Sequence, residues 1–366
     1  MGEPDRQTLD AEWLLGLRRS WKMLERAVHH HAVRIGLTPR NEVYRRKKAR
    51  LYRYIGTPRH PTPILLVPNL AMTRPDIFDL QPGASLVEFL VGQGFDFYLL
   101  DWGVFGEEDR DLTIDECVEE TLPRAIAQVL ATSGAPALSA LGYCMGATLI
   151  ACHLGLRPAS PVRRLVSLAG PVDFSRGGLF TQRLDRRYFD ADRVTDTLGM
   201  VPPEFFQLVF GLLRPTTNLS VLLNLWWRSE DDAYVERSQA MSHWANTYSA
   251  MPGEFFRKWV KELYQENRLV RGEFRLRGQA VDLGRIRCPV LAVVGAADNI
   301  VPPAAALALI EHVGSKVKES AELPGGHASL FAGGEASARL WPALAQWLAD
   351  GGRPDGQGQA RDKDED

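Results

Sequence analysis

The sequence predicts a mostly parallel, doubly wound α/β sheet covered by a mostly helical insertion. Three observations lead there. Short apolar runs recur along the chain: TPILLVPNL, FDFYLLDW, ALSALGYC, RRLVSLAG and CPVLAVVGAAD. They are rich in Val, Ile and Leu, as strands buried on both faces are. Helical stretches separate several of them, and alternation of strand with helix argues for a parallel sheet. The alternation then stops between about residues 174 and 282, a stretch too long for a loop and without strand rhythm.

Composition bounds the function. The 366 residues are 45% hydrophobic and 24% charged, which fits an ordinary globular chain and excludes global disorder or a collagen-like repeat. The net charge of −2 excludes a broad basic footprint for nucleic acid. Four cysteines, Cys117, Cys144, Cys152 and Cys288, are too few for a disulfide framework in a chain this long and suggest a reducing compartment. The first residues, MGEPDRQTLDAEW, lack the pattern of a secretory signal. Residues 125–156 carry no formal charge, but Ser133-Gly134-Ala135-Pro136 and Gly142-Tyr143-Cys144-Met145-Gly146 break the stretch twice. Helix, loop, buried strand, sharp turn and helix fit it better than one membrane span, so no transmembrane segment is expected.

Taken in order, residues 1–47 read as an N-terminal helical segment. Leu9, Trp13, Leu17, Trp21, Leu24 and Val28 recur every three or four residues, one stripe of an amphipathic helix. The stripe either lies on its own domain or forms a surface for a partner protein or a hydrophobic particle. His29, His30 and His31 are consecutive and point in different directions on a helix, so a solvated helix end is expected rather than a metal site. Residues 48–173 and 283–350 form the α/β core. It opens on KARLYRYI, which alternates like a strand. Thr113 and Glu116 form a capping box that starts a helix over 112–131. Residues 174–282, dense in Phe205, Phe206, Phe210, Trp226, Trp227, Trp244, Phe255, Phe256, Trp259 and Tyr264, form the cap. It lies over the C-terminal edge of the sheet, where open α/β sheets bind ligands. Residues 351–366 are polar and Gly-rich, a composition that predicts disorder.

ALSALGYCMGATLIAC carries the chemistry. A buried strand runs into Gly142-Tyr143-Cys144-Met145-Gly146, and a helix follows. This is the G-x-S-x-G nucleophile elbow with cysteine in place of serine. The turn exposes the central side chain above the sheet at a helix N-terminus, which favours a thiolate. An elbow nucleophile needs an acid and then a histidine further along the chain. Asp298 follows the strand PVLAVV, and Gly325-Gly326-His327 follows the next strand candidate, KVKESAEL. All three side chains are therefore expected on one sheet edge, with His327 taking the thiol proton and Asp298 holding the imidazole. Taken singly, Cys144 reads as a buried hydrophobe, His327 as part of a turn and Asp298 as a helix cap. The elbow, the order and the strand context together select the triad. Cys117, Cys152 and Cys288 read as core residues, and Asp101 as a structural residue beside Trp102. An oxyanion hole needs two backbone N–H groups: one from Met145, the other from the loop after ILLVP, at Met72 or Ala71. No metal or cofactor is implied, because the triad needs none and no metal-ligand spacing occurs.

With these residues in place, the chain resembles the polyhydroxyalkanoate synthases and, by length, the short catalytic subunits of class III and class IV. The resemblance runs from about residue 51 to 348. It rests on the cysteine elbow, Arg74-Pro75 before Asp79-Leu80, Leu100-Asp101-Trp102-Gly103, and Gly170-Pro171-Val172-Asp173-Phe174. Further along come Phe255-Phe256, Leu263-Tyr264-Gln265-Glu266-Asn267, Val281-Asp282-Leu283, Asp298 with Ile300-Val301-Pro302-Pro303, and Gly325-Gly326-His327. The resemblance implies an α/β-hydrolase fold with a cap. It implies growth of a polyester from 3-hydroxyacyl-coenzyme A, with coenzyme A part of the substrate and a product. It maps nucleophile, acid and histidine onto Cys144, Asp298 and His327. It also implies a cytoplasmic protein at the surface of polyester granules, working with a second, different subunit or as a homodimer. Three positions depart from the family's pattern: Asn299 stands where histidine usually follows the aspartate, Ser329 where glycine is common, and Thr73 where asparagine is usual. The rival expectation is a cysteine-dependent hydrolase of the same fold: a thioesterase, an esterase or an intracellular polyester depolymerase. A catalytically weak scaffold on granules is the third.

Overall fold

The computed structural model describes residues 6–28, 35–70, 72–213 and 217–350. Eight strands form one sheet: β1 (Arg40–Arg46), β2 (Ala49–Tyr54), β3 (Ile64–Val67), β4 (Phe97–Asp101), β5 (Leu138–Tyr143), β6 (Val162–Leu168), β7 (Val290–Gly295) and β8 (Lys318–Leu323). Their spatial order is β1-β2-β4-β3-β5-β6-β7-β8. Strand β2 pairs antiparallel with both of its neighbours, and every pairing from β4 to β8 is parallel. The central strands β3, β4, β5 and β7 are buried along their whole length. Covered on both faces, they can be continuously apolar, and that is why they were readable as strands.

Strand β1 corrects the expected N-terminal boundary. The segment assigned to helix through residue 47 ends in an edge strand over Arg40–Arg46, joined to β2 by a tight turn with Lys47 at φ 51°. Its sequence, RNEVYRR, lacks apolar alternation because an edge strand buries neither face fully. The helix before it, α1 (Arg6–Val28), covers less of the segment than expected. His29, His30 and His31 lie outside the described residues, as do residues 351–366.

Thr113 and Glu116 do cap each other, each side chain bonding the other's backbone N–H. The helix they open is not uniform: a π-helical turn spans Cys117–Thr121 before α2 (Leu122–Ser133). Pro123 has no N–H for a helix bond, so the ladder must be re-registered around it. Helix α3 (Met145–Leu156) follows β5 directly and is buried at every position, which accounts for the uncharged stretch without a membrane. Among the described residues no helix is long and apolar enough to cross one.

Residues 174–282 hold the helices Gly178–Arg183 and Ala191–Leu198, α4 (Pro203–Leu213), α5 (Thr217–Trp227), α6 (Asp232–Asn246) and a helix over Gly253–Lys258. A two-residue pairing of Met72–Thr73 with Tyr248–Ser249 ties this region to the loop after β3. Asn267, at φ 49°, ties it to the sheet: its side chain accepts from Phe174 N and donates to Asp173 Oδ1.

Helix α1 rests on α5 by its polar side. Ser20 Oγ accepts from Trp226 Nε1 at 3.2 Å, Arg18 pairs with Glu230 at 3.0 Å, and the Arg19 guanidinium lies over Trp226 and Trp227. The apolar stripe faces outward: Trp13 is 70% and Trp21 68% exposed, and Leu17 and Leu24 are exposed beside them.

Candidate active site

The elbow is built by close packing. A Cβ on Gly142 would lie 2.4 Å from Ala147 Cα, and one on Gly146 would lie 2.2 Å from the Val67 carbonyl oxygen. Only glycine lets β5, α3 and the end of β3 approach this closely. Between them Cys144 takes φ 51°, ψ −124°, a conformation that side chains other than glycine rarely adopt. Its N–H donates to Leu168 O at 2.9 Å, which locks the turn to β6. Cys144 therefore sits at the start of α3, and Met145 is the first residue of the helix, where backbone N–H groups have no acceptor inside the helix.

The ends of β7 and β8 bring the other two groups in. Ala296 N donates to Leu323 O and Ala297 N to Gly325 O, both at 2.8 Å, so the two loops run side by side. Asp298 is buried. Its Oδ1 accepts from Ile300 N and Val301 N, both at 2.9 Å, and its Oδ2 lies 2.6 Å from His327 Nδ1. With Nδ1 held by the carboxylate, Nε2 is left free of Asp298, and His327 lines the same cavity as Cys144. The ring packs against Tyr143, centroids 4.9 Å apart, and Tyr143 is held in turn by Phe331 and Phe78. Burial disfavours the imidazolium, but the charges of Cys144 and Asp298, and the hydrogen bonds to both, outweigh it and raise the His327 pKa from 6.5 to about 10.

The structure thus brings Cys144, His327 and Asp298 together on the C-terminal side of the sheet. Met145 adjoins Cys144. Met72 lies in the two-residue strand paired with Ser249, and Ala71 lies outside the described residues. Asp101 has a structural setting: Oδ1 accepts from Gly103 N at 2.9 Å and Oδ2 faces Arg74 at 3.4 Å. The other thiols are set apart by their surroundings. Burial pushes Cys117 well up, Cys152 to about 12 and Cys288 to about 11.

Ser329 carries a role that sequence reasoning did not assign. Its Oγ accepts from Gly326 N at 3.1 Å, fastening the turn that carries His327. Two cavities open on Cys144. One, of about 60 Å³, is walled by rings from the cap, among them Phe205, Phe206 and Phe256. The other, of about 240 Å³, is lined by Asn69, Tyr143, Trp244, Tyr248, His327 and Ser329 among others. The aromatic density of residues 174–282 signalled such a lining, but nothing in the sequence signalled its division in two. Among the described residues no group of three or more His, Cys, Asp or Glu side chains is placed to hold a metal ion.

A residue at a strained strand–helix turn, over a largely parallel sheet with this strand order, defines the alpha/beta hydrolase fold, whose family model matches residues 62–333. In structure, the chain is similar to a monoacylglycerol lipase of Paleococcus ferrophilus, with a TM-score of 0.52 at 20% identity over 82% of this chain and 98% of the other. In sequence, it is 35% identical to a poly(3-hydroxyalkanoate) polymerase subunit PhaC of Haloferax mediterranei, over 89% of this chain and 67% of that one. It is 32% identical to the PhaC subunit of Allochromatium vinosum, over 94% and 97% of the two chains. The chain belongs to the poly(3-hydroxyalkanoate) polymerase family, within the alpha/beta hydrolase superfamily.

Proposed function

We propose that the chain, as a member of this polymerase family, joins 3-hydroxyacyl units from their coenzyme A thioesters through a covalent acyl-Cys144 intermediate. The observation that supports the mechanism is the pair in which Asp298 Oδ2 lies 2.6 Å from His327 Nδ1, with His327 and Cys144 lining one cavity. His327 takes the proton of the Cys144 thiol. The sulfur attacks the thioester carbonyl, and the Met145 N–H, with a second from the loop at Met72 or Ala71, holds the resulting oxyanion. Collapse breaks the bond to the coenzyme A sulfur, which leaves with the proton from His327. The acyl group stays activated, because one thioester has replaced another. His327 then takes the proton of the 3-hydroxyl on a second unit or on the chain end. That oxygen attacks the acyl-cysteine, an ester forms, and the Cys144 sulfur is released.

Water competes with that hydroxyl. The ring-lined cavities support transfer over hydrolysis by restricting its access. The outward Trp13 and Trp21 of α1 support a position on the surface of cytoplasmic polyester granules, and a second synthase subunit is the partner the family resemblance suggests.

The test supplies 3-hydroxybutyryl-coenzyme A to the purified protein, alone and with a candidate partner subunit, and follows thiol release together with turbidity. Insoluble polymer and an acyl adduct on Cys144 are expected. The Cys144→Ala variant is expected to lose at least about 10³-fold in thiol release. Free hydroxy acid without polymer would make the chain a hydrolase. Undiminished release by Cys144→Ala would remove the cysteine mechanism.

A further inference from the structure

Cys144 lines both cavities, and only Phe210 and Ile300 share that position. These two side chains therefore border both compartments. The compartments differ in chemistry. Apart from the Tyr264 hydroxyl and the Trp259 indole, the smaller one carries no polar nitrogen or oxygen on its lining side chains. Its lining includes a ring cluster: Phe205 meets Phe206 and Phe256 edge to face, at 5.5 and 5.8 Å. The larger one carries His327, Asn69 and Ser329, and has about four times the volume, about 240 against about 60 Å³.

We infer that the two compartments divide the substrate: the ring-walled one takes the side chain of the acyl unit, and the other takes the sulfur-bearing arm and the incoming hydroxyl. The inference rests on the polymerase reading above. Its core is proton traffic. The departing sulfur must receive a proton and the attacking hydroxyl must lose one, and His327 lines only the larger compartment. Both groups therefore reach the acyl carbon from that side. The acyl substituent, which exchanges no proton, is directed to the other. Size agrees, since the long thioester arm needs the larger space and a short alkyl group suits the smaller. The ring cluster then sets the length of side chain accepted, and Phe206 and Val209 become specificity-determining residues.

The test compares thiol release from 3-hydroxybutyryl- and 3-hydroxyhexanoyl-coenzyme A in wild type, Phe206→Leu, Val209→Ala and Ala245→Val. Ala245 lines only the larger compartment. Relative to wild type, Phe206→Leu and Val209→Ala are expected to raise the kcat/KM ratio of the six-carbon over the four-carbon unit by about tenfold. Ala245→Val is expected to lower both rates alike and leave the ratio within about twofold. A ratio that moves with Ala245→Val, or with neither enlarging variant, overturns the assignment. A second measurement does not need turnover: a crystal structure with Cys144 disulfide-linked to butanethiol. The alkyl chain beside Phe206 supports the division, and beside Ala245 overturns it. If wild type releases no thiol from either substrate, the polymerase reading fails, while the crystal structure still decides which compartment accepts an alkyl chain.

Discussion

At the scale of single residues, the imidazole is the group whose titration reaches beyond the site. The His327 pKa is raised, from 6.5 to about 10, so the folded state binds its proton more tightly than the unfolded state. That contribution to stability is complete below about pH 6.5 and is lost as pH rises through 10. The melting temperature of wild type is expected to exceed that of His327→Gln most at pH 6, with the gap closing steadily towards pH 10. A gap that does not change over this range would sink the assignment. Residues differ in how legible they are. The common placement of Cys144, Asp298 and His327 was legible in the sequence, because each follows a strand at a motif that forces a turn. Ser329 could not be given its role, because a hydroxyl that accepts from a backbone N–H three residues back looks like any surface serine until the turn is folded. The expected second oxyanion donor is narrowed by sequence only to a loop, since backbone direction there depends on the strand that pairs with it.

At the scale of elements, the elbow is the most constrained joint. Gly146 lies where a Cβ would press on the carbonyl oxygens of Val67 and Pro68, at 2.2 and 2.3 Å. Backbone cannot yield as a flexible side chain does, so Gly146→Ala is expected to destabilise the protein by about 1–3 kcal/mol. It should also lower kcat more than Tm alone explains, because the shift moves Cys144. Urea denaturation beside steady-state kinetics checks both, and an unchanged midpoint would contradict this packing account. Element prediction succeeded where burial on two faces makes a strand continuously apolar, as in Ile64–Val67 and Val290–Gly295. It failed at Arg40–Arg46, where an edge strand carries charge and shows no period. It also missed the π-helical turn at Cys117–Thr121, since hydrophobic spacing does not report a single inserted residue.

At the scale of the whole molecule, α1 is the element whose orientation the sequence left open. Periodicity identifies an apolar stripe but does not say which way it faces. Here Arg19 and Ser20 hold the helix to α5 and Arg18 holds it to Glu230 just beyond, and the stripe is left in solvent. Replacing Trp13 and Trp21 together by serine is expected to cost little stability, below about 1 kcal/mol, because neither ring is buried. The same change is expected to weaken adsorption to polyester particles by about tenfold or more. Sedimentation with washed particles checks the second outcome and thermal melting the first. Equal sedimentation of the two proteins would remove the helix from that role.

The raised pKa values of the other three thiols have a practical corollary for anyone preparing the protein. Cys117, Cys152 and Cys288 hold their protons far above neutrality, whereas Cys144 adjoins a histidine and two open cavities. Under the proposed mechanism, a mild electrophile at pH 7 is expected to consume one equivalent per competent molecule, so a simple colorimetric titration doubles as a census of working centres in any batch.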